Sequence, residues 1–71
     1  MAAKEKANIY TPIILDYVNQ ANKWLTTGEI ATRFNLNLIE TSMYLNILVN
    51  NYYIKKKKGK KGIVIYHSLA E

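Results

Sequence analysis

The chain has 71 residues, 49% of them apolar, with 10 Lys and Arg against 5 Asp and Glu for a net charge of +5. That length makes one domain near the lower size at which an apolar core holds a chain unaided, and with no cysteine a disulfide or thiolate-metal staple is excluded. No run reaches the roughly 18 apolar residues of a membrane helix, and the opening MAAKEKAN lacks the apolar segment of a signal peptide, so a soluble, cytoplasmic protein is expected.

Thr11-Pro12 reads as the N-cap and first residue of a helix, because proline has no N–H to lose in a first turn and its φ is already helical. Ile14, Leu15, Tyr17 and Val18 follow at helical spacing, with Asp16, Asn19 and Gln20 facing out. The first helix is therefore expected over Pro12 to Asn22, with residues 1–10 as a disordered arm and 11–71 as the folded domain. Ala21-Asn22-Lys23 offers the stop. Trp24-Leu25 then begins a short extended stretch, with Trp24 assigned to the core.

Thr26 followed three residues later by Glu29 is a capping box, in which the hydroxyl takes the Glu29 N–H and the carboxylate returns to the Thr26 N–H. It predicts a second helix over Thr27 to Phe34. Asn37 and Glu40 repeat the pattern with an amide oxygen as the cap, predicting a third helix over Leu38 to Asn50. The junction Asn35-Leu36 is short, and Leu36 is placed to tuck into the angle between the two helices.

Tyr52 to Lys57 and Ile63 to Leu69 are rich in β-branched and aromatic residues, and the loop between them contains Gly59 and Gly62, both expected to supply positive φ. Ile54 should point inward. The returning strand is apolar on both faces, so either Ile63-Ile65 or Val64-Tyr66 is its inward set. Two capped helices across a short turn, then a lysine-loaded hairpin, predict an α+β fold: a winged helix-turn-helix, three helices packed with a two- or three-stranded antiparallel wing.

Charge placement adds to this, since six of the ten bases lie between Lys55 and Lys61. A basic loop so concentrated attracts a polyanion by counterion release. The alternative is a solubilising turn whose lysines keep an edge strand from aggregating.

The segments IILDYVNQ, TGEIA and MYLNILVNNYYI, followed by the basic hairpin and IVIYHSL, resemble the small PapI/FaeA-like regulators of fimbrial operons in enteric bacteria, over roughly Thr11 to Leu69. The resemblance implies a bacterial transcriptional regulator that binds DNA near a promoter, often with a larger global regulator such as the leucine-responsive protein. The family's usual glycine after the third helix is replaced around Tyr52. Asn51 is the residue expected to take the left-handed conformation instead, shifting the helix end by one position.

At about 100° per residue, Thr41, Tyr44, Leu45 and Leu48 of the third helix fall on a core side, with Leu38 and Val49 at its margin. Ile39, Ser42, Met43, Asn46 and Asn50 fall opposite, flanked by Glu40 and Ile47. In a helix-turn-helix this is the face that enters the major groove. Asn46 suits adenine, Ser42 either strand, Glu40 a cytosine amino group, and Ile39 or Met43 a thymine methyl. No Lys or Arg lies there, so the phosphate grip is assigned to Arg33, Lys23, the helix N-terminus near Thr27 and the wing residues Lys55, Lys57, Lys58, Lys60 and Lys61. The expectation is a nucleoid-associated protein binding double-stranded, A·T-rich DNA, with a second copy or a larger regulatory protein as partner.

The competing expectation is a protein-interaction winged helix. Ile39, Met43 and Ile47 recur at four-residue spacing and form an apolar strip of the kind that docks a partner or a second copy. An enzyme is not expected. His67 is a lone histidine late in a strand, Glu29 and Glu40 are used as caps, and no nucleophile-base pair, phosphate loop or metal-ligand cluster remains. Neither a cofactor nor a small-molecule substrate is expected.

Overall fold

Thr26 Oγ1 accepts the Glu29 N–H at 3.1 Å and Glu29 Oε1 accepts the Thr26 N–H at 3.0 Å, so the capping box forms and opens α2 (Thr27–Phe34) at the predicted residue. The computed structural model describes residues 3–69. Asn35 ends α2 in the left-handed region (φ 54), and Leu36 donates its N–H back to the Ala31 carbonyl at 2.9 Å while packing on the core. Asn37 Oδ1 then accepts the Glu40 N–H at 2.7 Å and opens α3 (Leu38–Asn50), again over the predicted span. The second box is only half formed. Glu40 turns its carboxylate to Lys6, Tyr44 and the Asn37 side-chain amide instead of the Asn37 backbone.

The first helix departs most from expectation. It is α1 (Ala3–Ala21), with Pro12 in its interior, and the Thr11 hydroxyl donates to the Ala7 carbonyl at 2.6 Å rather than capping anything. Residues 3–10, expected as a disordered arm, are thus helical, and residues 1 and 2 of that arm lie outside the described residues. An interior proline costs about 3 kcal/mol or more by local rules, through a lost N–H and a clash one turn back. Tertiary contacts upstream of Pro12 oppose that cost: Ala7 packs on the core, the Tyr10 ring stacks on Tyr44 with centroids 5.8 Å apart, and Lys6 Nζ meets Glu40 Oε2 at 2.9 Å. Asn22 (φ 49) supplies the left-handed stop after Ala21.

Three antiparallel strands, β1 (Leu25–Thr26), β2 (Ile54–Lys58) and β3 (Val64–Ser68), lie in the order β1-β3-β2. Residues paired across a ladder share a face. Ile54↔Ser68, Lys56↔Tyr66 and Lys58↔Val64 therefore face the helices, whereas Lys55↔His67 and Lys57↔Ile65 face away. Buried Ile54 and Tyr66 settle the open register in favour of the Val64-Tyr66 set, and Ile63 is exposed. The core is Ile14 and Val18 of α1, Leu25, Ile30 of α2, Tyr44, Leu45 and Leu48 of α3, Ile54 and Tyr66.

Two turns use different residues from those expected. At the hairpin tip Gly62 has φ +76, but Gly59 has φ −90 and Lys61 takes the left-handed conformation (φ 59) in its place. Gly59 is required for space: a Cβ there would lie 3.1 Å from Ile65 Cδ1 and 3.3 Å from the Ile63 carbonyl oxygen. After α3, Tyr52 itself is left-handed (φ 61), with Asn51 at φ −95. Tyr53 N–H bonds the Leu48 carbonyl at 2.9 Å and Tyr52 N–H the Val49 carbonyl at 3.0 Å, the Schellman pairing that satisfies the last carbonyls of a helix. The family's glycine position is thus kept by a tyrosine, and the helix end is not shifted to Asn51.

Candidate nucleic-acid interface

The rotation of α3 follows the sequence. Thr41, Tyr44, Leu45 and Leu48 are buried, while Ile39 (78% exposed), Met43 (51%), Ile47 (39%), Asn46 and Asn50 face out, with Ser42 half-buried between them. Leu38, placed at the core margin, is exposed instead, because it is the first residue of the helix and extends past the core. The outer face joins two amides and a hydroxyl to three apolar side chains.

Glu40 does not belong to that face. Its carboxylate accepts from Lys6 Nζ at 2.9 Å and from the Tyr44 hydroxyl at 3.0 Å, both on the side of α3 that meets α1. The Lys6 hydrogen bond, then that of Tyr44, holds the carboxyl below the ordinary glutamate range; the same Glu40 bond raises Lys6, and burial raises the Tyr44 phenol. A carboxylate with both oxygens engaged is not available to a cytosine amino group, so its expected reading role is withdrawn. Its sequestration leaves the outward face of α3 free of acidic side chains.

The wing lysines divide by strand alternation. Lys56 and Lys58 share the helix-facing side of the hairpin with Tyr66 and Val64, and lie beyond the core where their ammonium groups are exposed. Lys60 and Lys61 occupy the tip. Lys55 and Lys57, expected beside α3, lie on the opposite face, with Lys57 Nζ 4.2 Å and Lys55 Nζ 5.8 Å from the Trp24 ring centroid. Lys56 was missed. With Ile54 placed inward, the two-residue period of a strand assigns Lys56 and Lys58 to its side.

Two other expected phosphate contacts sit elsewhere. Arg33 lies 5.5 Å from both the Tyr17 and Phe34 rings, which meet edge to face at 5.6 Å, so it caps an aromatic pair joining α1 to α2. Thr27 opens α2, but the Glu29 carboxylate already occupies that helix end through its bond to Thr26 N–H, and a second anion there meets like charge. Trp24, expected in the core, is half-buried on the outer face of the sheet, its ring 5.1 Å from that of His67. Residues paired with or adjacent to β3 alternate sides, and Leu25 takes the inward one.

No family model, curated protein or solved structure matches this chain. Among the described residues no helix is long and apolar enough to cross a membrane, and no group of three or more His, Asp or Glu is placed to hold a metal ion.

Proposed function

We propose that this chain is a small DNA-binding regulator, with the outer face of α3 in a major groove and the lysines on the same side of the wing on the flanking phosphates. The observation that carries this reading is the joint arrangement of α3 and β2. An outward face with no carboxylate lies on the side of the sheet to which Lys56 and Lys58 belong, with Lys60 and Lys61 beyond. Asn46 then pairs with adenine, Ser42 supports it, and Ile39 and Met43 meet thymine methyls, which favours A·T-rich sites. A single domain of this size makes a small interface, so a second copy or a larger regulatory protein completes useful affinity. The resemblance to fimbrial-operon regulators supports the same class and places the protein in the bacterial cytoplasm at the nucleoid.

The test is fluorescence anisotropy of a labelled A·T-rich duplex titrated across a salt series. Roughly three to six phosphate contacts give a log–log salt slope of about −3 to −5. Changing Lys56, Lys58, Lys60 and Lys61 to Gln should reduce its magnitude by about three. No binding at low salt by the folded protein overturns the reading.

One observation favours a second reading, in which α3 docks a protein. Ile39, Met43 and Ile47 form a continuous exposed apolar strip, 78%, 51% and 39% exposed, at four-residue spacing. Sedimentation analysis at micromolar protein, with and without duplex, separates the cases. Self-association abolished by Met43→Gln, in a protein that ignores DNA, selects this alternative.

A further inference from the structure

The outer face of the sheet, on the side away from the helices, carries a second arrangement that α3 does not use. Trp24 is half-buried there, just before β1, and Lys55 and Lys57 of β2 converge on its indole at 5.8 and 4.2 Å. The His67 ring packs against it at 5.1 Å and a 56° tilt, with Nδ1 held 2.9 Å from the Ser68 carbonyl oxygen. Thr26 and Ile65, paired across β1 and β3, complete the face.

We infer that this face binds unpaired nucleic acid, one base stacking on Trp24 while Lys55 and Lys57 take the neighbouring phosphates. An aromatic ring flanked by cations is the combination that single strands select: every base has a π-face, and every phosphodiester a negative charge. A lysine over an indole is itself a modest cation–π contact, worth about 0.5–1 kcal/mol at an exposed site. Lys57 is exposed, so an incoming base displaces it from the ring and the ammonium passes to the adjoining phosphate. A base held inside a duplex cannot reach an indole in this way, so this face discriminates single from double strands, whereas α3 has the opposite preference. The two surfaces share no residue, and this inference stands apart from the duplex reading.

Trp24 is the one tryptophan of the chain, so intrinsic fluorescence reports on this face alone. The probe is oligo(dT) of about 12 nucleotides, within the span one small domain covers. Saturable quenching of the emission is expected, weakening with salt. Lys55→Gln with Lys57→Gln should weaken binding and lower the magnitude of the single-strand salt slope by about 1.4. Trp24→Leu, followed by anisotropy of labelled oligo(dT), should lose about fivefold to a hundredfold in affinity, the loss of one stacked base. Circular dichroism checks that each variant is folded. Emission unchanged by oligo(dT), or quenching indifferent to the two lysine changes, overturns the inference and leaves Trp24 as an indole shielded by lysine stems. Failure of the duplex titration beside successful quenching overturns the α3 reading alone.

Discussion

Lys6 Nζ lies 2.9 Å from Glu40 Oε2, joining the N-terminal part of α1 to the first turn of α3 across 34 positions of sequence. Around this bond, Tyr44 donates its hydroxyl to the same carboxylate oxygen and stacks its ring on Tyr10. One cluster therefore holds the leading turns of α1 against α3, and it takes the only acidic side chain of α3 off the outward face.

The cluster carries a pH signature. Glu40 is held below its ordinary 4.5 and Lys6 is raised above its ordinary 10.5, in each case first by the hydrogen bond between them. A lowered carboxyl contributes stability that is complete above its unfolded pKa and is lost as pH falls through the folded value. A raised lysine contributes stability complete below its unfolded pKa and lost as pH rises through the folded value. The link is thus fully present between those ordinary values. Melting temperature measured against pH should fall more steeply below about 4.5 in the native protein than in Glu40→Gln; parallel curves would remove Glu40 from this role.

Thr26→Ala removes the hydroxyl that caps α2 and leaves the Glu29 N–H without its partner. The expected cost is about 1 kcal/mol, seen as a fall in melting temperature of roughly 4–8 °C for a domain of this size. Thermal denaturation followed by circular dichroism measures it. An unchanged midpoint would mean that β1 pairing holds this junction without the cap.

Tyr52→Gly should stabilise the protein. A tyrosine in the left-handed region costs about 1–2 kcal/mol, and the phenol is 82% exposed, so its loss removes little burial. The extra freedom of glycine in the unfolded chain returns about 0.5–1 kcal/mol of that gain. A net rise of up to ~1 kcal/mol in a urea titration is expected, with none for Tyr52→Ala. A destabilised glycine variant would show that the exposed ring has a structural partner.

Met43 and Leu45 are two positions apart on α3 and should respond oppositely. Met43→Gln should change stability by less than about 0.5 kcal/mol while weakening whatever α3 binds. Leu45→Ala empties a fully buried site and should cost about 2–5 kcal/mol. Denaturant midpoints of the pair check the rotation of α3 without any ligand.

The α2 and α3 boundaries were legible in the sequence because their start signals are local. A Thr26 hydroxyl and a Glu29 carboxylate need only one turn of chain to find their N–H groups, and Asn37 reaches Glu40 in the same way. The buried side of α3 was legible for a related reason, since 100° per residue turns composition directly into a face. For the candidate surface, the same period placed Ile39, Met43 and Asn46 outward, whereas the assignment of the wing lysines failed for want of a register.

What the sequence determined by itself was the α+β class, two helix starts, the outward face of α3 and the concentration of charge in the hairpin. Each follows from interactions within a few residues or from a fixed repeat. Tertiary structure alone decided that α1 runs through Pro12, that Glu40 belongs to Lys6, that Lys56 rather than Lys57 shares the side of α3, and that Trp24 lies under lysines outside the core. Each of these depends on groups brought together from distant parts of the chain, whose packing outweighs a local preference of a few kcal/mol or selects one of two faces that local pattern leaves equal.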